Sequence, residues 1–347
     1  MKTKPTRTVY IDYLRISAIF AVIMLHVAAY NWHSTNVNEL PWQIFNLYDS
    51  VARWGVPVFV MISGTLFLGR EISLKQLYSK YILRLICAFA AWSLFYSVIK
   101  GGSTKHILLV AISGHFHMWF ILMMIGLYIC IPFLQLIVDK GWKTQYYLVV
   151  AFFFAFLIPE IVALSNDFGN EVIIKGMNAI NGDVATMGMN LVLGYSSYFV
   201  LGYWLNQIEL NKKQRYIVYL CGLMGCLFTI IVDAIVAIKT QEACSKYYGN
   251  FNVNVMLESI AVFVAFRHFP FLNKRINRIA QTMAKYSFGA YLVHPFIITQ
   301  LNNRFGVNTL SFNPILSVIV ISIIVYIISF CISALLNKIP IVNKYLV

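Results

Sequence analysis

Residues 9–30, VYIDYLRISAIFAVIMLHVAAY, form an apolar run long enough to cross a bilayer as a helix, and this run carries Arg15 and His26. Their spacing corresponds to about three helical turns, so the two side chains lie roughly 16 Å apart on nearly the same face. A charged side chain near the bilayer centre costs roughly 2.5–3.5 kcal/mol on insertion scales, so such residues normally face protein or an aqueous cavity. The pair therefore predicts a polar shaft through much of the bilayer, lined by both side chains.

The composition indicates the class of protein. Of the 347 residues, 60% are hydrophobic and only 12% are charged, and long apolar stretches recur along the whole chain. The sequence therefore predicts an all-α, polytopic membrane helix bundle and excludes a soluble fold. About ten spans fit, near residues 9–30, 48–68, 80–99, 117–138, 145–164, 188–206, 216–238, 252–268, 285–303 and 312–336.

The basic residues predict an orientation. Nineteen of the 27 lie at the two ends of the chain or in alternate connections that share their side of the membrane. By the positive-inside rule both termini are expected in the cytoplasm. Topology and anionic lipid headgroups also explain the net charge of +14, since the basic residues are spread over short connections and not gathered in a nucleic-acid-binding motif. Membrane lipids are therefore expected partners, and nucleic acid is not.

The domain organisation is expected to be one membrane domain over residues 1–347, with an extracytoplasmic loop at 160–187. The glycines and asparagines of this loop suit a folded loop or a short surface helix that covers the spans, and a role in choosing an acceptor stays open. The chain shows no inverted repeat and no matching pair of broken helices of the kind that transporters use.

Three groups near the first two spans are candidates for the site, and two of them have a plainer alternative. Asp12 lies three residues before Arg15, where it either pairs with Arg15 within the site or only fixes the inner end of the span. Arg53 enters the second span from the outer side. Ser63 and Gly64 lie farther along that span, and small residues there are typical of close helix packing.

The fourth and ninth predicted spans supply further candidates. His117 opens the fourth span and is followed by Trp119, whose plainer role is that of an interfacial anchor. The ninth span carries Tyr291 and His294 directly before Pro295. Since a proline inside a helix frees a backbone carbonyl, His294 is either a structural partner of that carbonyl or a residue of the site.

The histidines do not predict a metal site. The seven histidines include no HExxH motif and no cysteine-rich cluster. His115 and His117 are expected to point to opposite sides of an extended segment. The chemistry that the sequence offers is instead that of an imidazole, which takes up a proton or carries an acyl group, and of a guanidinium, which binds phosphate or carbonyl oxygen.

Four motifs in order along the chain carry a resemblance to a known family. They are IDYLRISAIFAVIMLHVA at 11–28, ARWGVPVFVMISGTLF at 52–67, HMWFILMMIGLYICIPFL at 117–134 and YSFGAYLVHPFI at 286–297. Together they resemble the membrane acyltransferase-3 family, whose hallmark is an Arg, ten residues and then a His. Within the family the chain resembles the stand-alone surface-polysaccharide O-acetyltransferases, of the type that acts on enterobacterial common antigen.

The resemblance implies a ten-helix bundle in the bacterial cytoplasmic membrane that transfers an acyl group, usually acetyl, from cytoplasmic acyl-coenzyme A to a sugar hydroxyl. It implies that Arg15 and His26 are the functional pair and that Arg53 matches the Arg of the second span. His117 and His294 match recurrent polar positions. The substrate-binding candidates are Asp12, Ser63, His117, Trp119, Tyr291 and His294.

The acyl transfer requires two further functions, for which the sequence has candidates. Arg53, Ser63 or the indole N–H of Trp119 would stabilise the negative charge of a tetrahedral intermediate. Coenzyme A has phosphates that need cations on the cytoplasmic side, where Arg15, Lys80 and Arg84 are available. A transporter or flippase for a lipid-linked sugar and, more remotely, an assembly protein remain as alternatives. The acceptor sugar and the oligomeric state stay open.

Overall fold

The computed structural model describes residues 8–138, 141–187 and 190–347, and these residues form helices joined by short connections. Lys2, Lys4, Arg7 and Lys140, which the predicted orientation uses, and the first two residues of the sixth predicted span lie outside the described residues. The helices are α1 (Val9–Ala28), α2 (Leu40–Ala52), α3 (Gly55–Phe67), α4 (Leu74–Gln76), α5 (Leu83–Lys100), α6 (Thr104–Ser113), α7 (Trp119–Ile129), α8 (Ile131–Ile137), α9 (Trp142–Ala151), α10 (Ile158–Phe168), α11 (Glu171–Thr186), α12 (Asn190–Gln207), α13 (Lys212–Thr240), α14 (Val253–His268), α15 (Lys274–Phe305), α16 (Pro314–Leu336) and α17 (Pro340–Tyr345).

The predicted polytopic helix bundle is confirmed. Within the described ranges, eight helical segments are long and apolar enough to cross a membrane. The helices α12 and α15 lie where the sixth and ninth spans were predicted but are not among these eight. The first turns of α15 carry Lys274, Arg275 and Arg278, which lowers its apolarity. The figure of ten membrane crossings therefore stays a prediction.

Helix α1 forms the centre of the bundle and contacts α2, α3, α14, α15 and α16. Its most apolar stretch is 56% buried in protein, against 22% for the stretch Thr104–Ile129, which exposes apolar side chains as a lipid-facing helix does. The first half of α1 packs into one hydrophobic cluster through Leu14 and Ala18. The second half packs into another through Ile19 and Val27. Arg15 and His26 are thus held on one of the two most buried of the eight segments.

Prolines break two of the predicted spans. The predicted second span, 48–68, is divided into α2 and α3 at Arg53 because Pro57 has no N–H to donate to the Arg53 carbonyl. The predicted fourth span, 117–138, consists of a 3-10 turn at Phe116–Met118 followed by α7 and α8. The break between α7 and α8 lies at Cys130, two residues before Pro132, because that proline cannot donate to the Tyr128 carbonyl.

Two glycines bring α3 and α12 into close contact. A Cβ added at Gly64 would lie only 1.7 Å from the Phe199 carbonyl oxygen, and one at Gly202 only 2.2 Å from the Met61 carbonyl oxygen. No side chain fits at either position. The packing interpretation of Gly64 is confirmed.

The stretch predicted as the loop 160–187 is mostly helical. Residues 160–168 belong to α10, which a π-helical segment at Phe152–Leu157 joins to α9 in one long apolar segment, Trp142–Phe168. The helix α11 follows as a separate 16-residue helix. The side-chain amides of Asn166 and Asn178 join α10 to α11 through hydrogen bonds of 3.1 and 3.3 Å. The start of this loop was therefore predicted too early in the sequence, because α10 continues to Phe168. The short surface helix is present as α11. Its role as a cover stays a prediction.

Candidate functional site

A cavity of about 650 Å³ runs along α1 between α3, α5, α7 and α15. Arg15 lies on its wall near one end, and Val22, two turns farther along α1, lies on its wall toward the other. Apolar side chains of α3 and α7 line the part near Val22, including Phe59 and Phe120. The cavity thus changes from basic to apolar along the axis of the bundle.

The basic end of the cavity has three cationic side chains. Arg15 comes from α1, Arg84 from α5 and Lys285 from α15. The Tyr128 hydroxyl lies beside Ser63 and within the electrostatic reach of both Arg15 and Arg84. This end therefore offers several positive charges and hydroxyl groups to a bound anion.

The C-terminal segment packs against the basic end of the cavity. Asn337 and Asn343 lie on the cavity wall, and the Arg84 guanidinium donates a hydrogen bond to the main-chain oxygen of Val347. The indole N–H of Trp92 donates to the Leu346 carbonyl at 3.0 Å. The sequence did not predict Asn337, Asn343 or Trp92 as site residues, because only the packing of distant segments brings them to this end of the cavity.

Lys80 does not join Arg15 and Arg84. Its side chain is exposed, its Nζ lies 5.2 Å from the centre of the Tyr81 ring, and it is Tyr81 that lies on the cavity wall. Adjacent residues of a helix point about 100° apart, so both side chains cannot face the cavity. Of the three predicted coenzyme A contacts, the structure brings two together.

Beyond the apolar end of the cavity lies a pair of histidines from α1 and α15. His26 Nδ1 is 3.0 Å from His294 Nε2, and the two ring centres are 5.0 Å apart. His294 is fully buried, whereas His26 is partly exposed. The rings of His26 and Phe116 are nearly perpendicular with their centres 5.5 Å apart, and Phe116 is 63% exposed. The pair therefore has one buried member and one member that a solute can approach.

The proline that follows His294 in the ninth predicted span explains the position of the His294 ring. His294 Nδ1 lies 2.6 Å from the carbonyl oxygen of Tyr291, the residue whose carbonyl Pro295 leaves without a helical partner. The Tyr96 hydroxyl donates to the next carbonyl, that of Leu292, at 2.7 Å. The two interpretations of His294 are thus not exclusive, since the ring contacts both the freed carbonyl and His26.

The expected divergence of His115 and His117 is wrong. Their Nδ1 atoms lie 2.8 Å apart, because Phe116–Met118 is a 3-10 turn and not an extended segment. His117 is buried, and its ring packs edge to face against His294 with the centres 5.5 Å apart. Four histidines therefore converge, although the described residues include no group of three or more His, Cys, Asp or Glu side chains arranged to hold a metal ion.

Tyr291 separates the cavity from the histidines. Its side chain lines the cavity, its hydroxyl donates to the His117 carbonyl, and its ring centre is 5.9 Å from that of His294. Among the described residues of the cavity wall, Val22 is present and His26, one turn farther along α1, is not. The expected continuous shaft is therefore a cavity that ends about 6 Å short of His26 along the helix.

Arg53 lies in a buried polar network near the histidine pair. It forms an ion pair with buried Asp49, and its guanidinium carbon lies 4.1 Å from the centre of the Tyr248 ring. Arg53 lies close enough to His26 for its positive charge to interact with the imidazole ring. Its side chain is not on the cavity wall that the described residues form. Arg53 Nε is buried and makes no hydrogen bond with the described residues.

The remaining predicted site residues are distributed between the cavity, the buried core and the surface of the bundle. Ser63 lies on the cavity wall, and its hydroxyl donates to the Phe59 carbonyl at 3.1 Å. Asp12 is buried on α1, about one turn before Arg15. Trp119 is 43% exposed and its ring packs against Tyr195, in keeping with an anchor at the bundle surface.

The comparison with protein families identifies the chain. The acyltransferase-3 family model, an acyltransferase domain, matches residues 8–334. No curated protein and no solved structure matches the chain. The match covers nearly the whole chain, including all the residues of the cavity wall from α1 to α15 and the histidine pair. The chain therefore belongs to the acyltransferase-3 family, and the protein is an integral membrane acyltransferase.

Proposed function

We propose that this acyltransferase moves an acetyl group from cytoplasmic acetyl-coenzyme A to a hydroxyl of a cell-surface or lipid-linked sugar, in the bacterial cytoplasmic membrane. The observation that carries the proposal is a cavity with a basic end and an apolar end that stops one helical turn from His26. This change from a basic to an apolar lining suits an acyl donor whose phosphates and thioester lie far apart. The stand-alone surface-polysaccharide O-acetyltransferases, including those of the enterobacterial common antigen type, are the group that we assign it to.

The basic end would bind the phosphates of coenzyme A. Arg15, Arg84 and Lys285 lie together there, and a guanidinium binds a phosphate through two parallel hydrogen bonds. Arg84 would exchange its bond to the Val347 main-chain oxygen for one to the ligand. The volume of about 650 Å³ is in the range of small-molecule sites, and the narrow pantetheine arm would extend along Ser63 and Phe59 toward Val22.

His26 would act as the general base. Its imidazole takes the proton of the sugar hydroxyl as the oxygen attacks the thioester carbonyl, and the C–O bond forms. The tetrahedral intermediate collapses with cleavage of the C–S bond, and the imidazolium returns the proton to the thiolate of coenzyme A. In a two-step variant, His26 first takes the acetyl group and the sugar then attacks the acyl-imidazole. In both routes the products are the acetyl ester and free coenzyme A.

Arg53 would stabilise the negative charge of the tetrahedral intermediate from its position near His26. The guanidinium is held by Asp49 and Tyr248, so its orientation is fixed before the reaction. The sugar would approach His26 from the side of Phe116, whose exposed ring offers a flat apolar surface to a sugar face. Acetyl-coenzyme A would reach the same histidine from the cavity.

The proposal is tested with the purified protein in lipid nanodiscs, acetyl-coenzyme A and glycan acceptors from the cell envelope. We expect acceptor-dependent release of free thiol and an acetylated glycan by mass spectrometry. His26→Ala should lower the rate by roughly 10²–10⁴-fold, the usual contribution of a general base. His106→Ala changes an exposed histidine on α6 and serves as the matched control.

Two results would contradict the proposal. Retention of most of the activity by the His26→Ala variant would exclude His26 as the base or acyl carrier. Movement of a lipid-linked sugar across the bilayer without consumption of acetyl-coenzyme A would support a flippase instead, which was the main alternative.

A further inference from the structure

We propose that His294 is a positioning residue that fixes the tautomer of His26, and that Pro295 provides the carbonyl that makes this possible. The catalytic consequence rests on the proposed function, in which His26 is the base. The tautomer itself follows from the hydrogen bonds of α1 and α15 and does not depend on the reaction.

The first step concerns the ring of His294. Its Nδ1 lies 2.6 Å from the Tyr291 carbonyl oxygen, a group that only accepts hydrogen bonds. A close contact of this length requires that His294 Nδ1 carries the proton. In a neutral imidazole the other nitrogen, Nε2, is then an acceptor.

The second step concerns which ring nitrogen of His26 carries the proton. Because His294 Nε2 accepts, the 3.0 Å contact with His26 Nδ1 requires a proton on His26 Nδ1. His26 Nε2 is then the unprotonated, basic nitrogen of the ring. This is the tautomer that a general base on α1 needs if Nε2 faces the substrate.

The third step concerns the free carbonyl. In an uninterrupted helix, the N–H four residues ahead would satisfy the Tyr291 carbonyl, but at that position Pro295 has no N–H. Tyr291 is buried, and a buried carbonyl without a partner costs free energy, so the His294 side chain is held to it. The hydroxyl of Tyr96 binds the neighbouring carbonyl of Leu292 and further supports this distorted turn.

The side chains packed around His294 restrict the orientation of its ring. The ring is fully buried, and those of His117 and Tyr291 pack around it with centres 5.5 and 5.9 Å away. A ring flip would place carbon atoms against the Tyr291 carbonyl and His26. The orientation of His294 is therefore fixed by packing as well as by hydrogen bonding.

The direct test is nuclear magnetic resonance of the full-length protein in detergent with ¹⁵N-labelled histidine. Long-range proton–nitrogen correlations distinguish a protonated ring nitrogen from an unprotonated one, and His26→Ala and His294→Ala assign the two signals. We expect both rings to carry the proton on Nδ1. A spectrum with the proton of His26 on Nε2 would overturn the proposal, whether or not the protein acetylates sugars.

Two substitutions of His294 separate its positioning role from simple space filling. His294→Gln places an amide where Nε2 lies and retains an acceptor for His26, whereas His294→Asn reaches only the position of Nδ1 and loses it. We expect His294→Asn to lower kcat by roughly 10²-fold, with the KM for acetyl-coenzyme A nearly unchanged, because orientation of the base contributes to catalysis and not to donor binding. His294→Gln should retain most of kcat, and His106→Asn is the control for the substitution itself.

The outcomes separate this inference from the proposed function. Equal losses in the Gln and Asn variants, or a His26 tautomer that the Asn variant leaves unchanged, would contradict the positioning role. If His26→Ala abolishes acetylation while His26 carries its proton on Nε2, the proposed function stands and this inference fails. If the tautomer is as expected and His26→Ala is active, the inference about hydrogen bonding stands and the proposed base is wrong.

Discussion

Arg15 presents a guanidinium to the basic end of the cavity, where geometry as well as charge decides how well a phosphate is bound. Arg15→Lys retains the charge and loses the planar set of donors. We expect kcat/KM for acetyl-coenzyme A to fall by roughly 10–100-fold, since a hydrogen bond to a charged group contributes about 1.5–3 kcal/mol. Steady-state kinetics measures this, with Lys80→Ala as the control because Lys80 is exposed and its neighbour Tyr81 faces the cavity. A lysine variant with native kinetics would remove Arg15 from the donor site.

Single residues were the part of the site that the sequence predicted best. The spacing of Arg15 and His26 on one helix is local, and both were expected to line one shaft. In the structure Arg15 lies on the cavity wall, whereas His26 lies one helical turn beyond the last α1 residue of that wall. Contacts between distant segments could not be predicted in this way. The 3.0 Å contact of His26 with His294 joins positions 268 residues apart, and the contact of Arg84 with Val347 joins positions 263 apart. Only the packing of the bundle brings such pairs together.

Helices α3 and α12 approach each other closely enough that Gly64 admits no side chain. Gly64→Ala should destabilise the protein by about 1–3 kcal/mol, the usual cost of overpacking a filled interface, and lower the midpoint of thermal unfolding in detergent. Gly126→Ala is the matched control, because Gly126 is also helical and has open space where a Cβ would lie. The control should be neutral or slightly stabilising. An unchanged midpoint in the Gly64 variant would contradict the close packing.

Helix boundaries were predictable where apolar length alone determines them and less so at prolines. The ends of α1, α14 and α16 lie within two residues of the predicted spans. Pro57 and Pro132 divide two predicted spans, because each removes one N–H from the helical ladder. An apolarity criterion treats these stretches as continuous, so it misses the break.

The distribution of basic residues over the whole molecule predicts which face of the bundle meets the cytoplasm. The predicted outer side includes Lys175 on α11, and the predicted inner side includes Arg275 at the start of α15; both side chains are exposed. We expect a membrane-impermeant thiol reagent to modify a Lys175→Cys variant in intact, right-side-out vesicles. An Arg275→Cys variant should react only after the vesicles are permeabilised. Mass spectrometry of each variant beside the unsubstituted chain with its six cysteines gives the result, and the reverse pattern would invert the topology.

The closed end of the cavity at Tyr291 bears on the energetics of the cell as well as on acyl transfer. A continuous column of water beside Arg15 and His26 would let protons run down their electrochemical gradient, and a potential of 100 mV is worth about 2.3 kcal/mol for each charge that crosses. Because Tyr291 lies between the cavity and the histidines, we expect no such column of water to form in the resting protein. In the proposed function the acyl donor would itself fill this end of the cavity when its thioester reaches His26, so the barrier to protons would be kept.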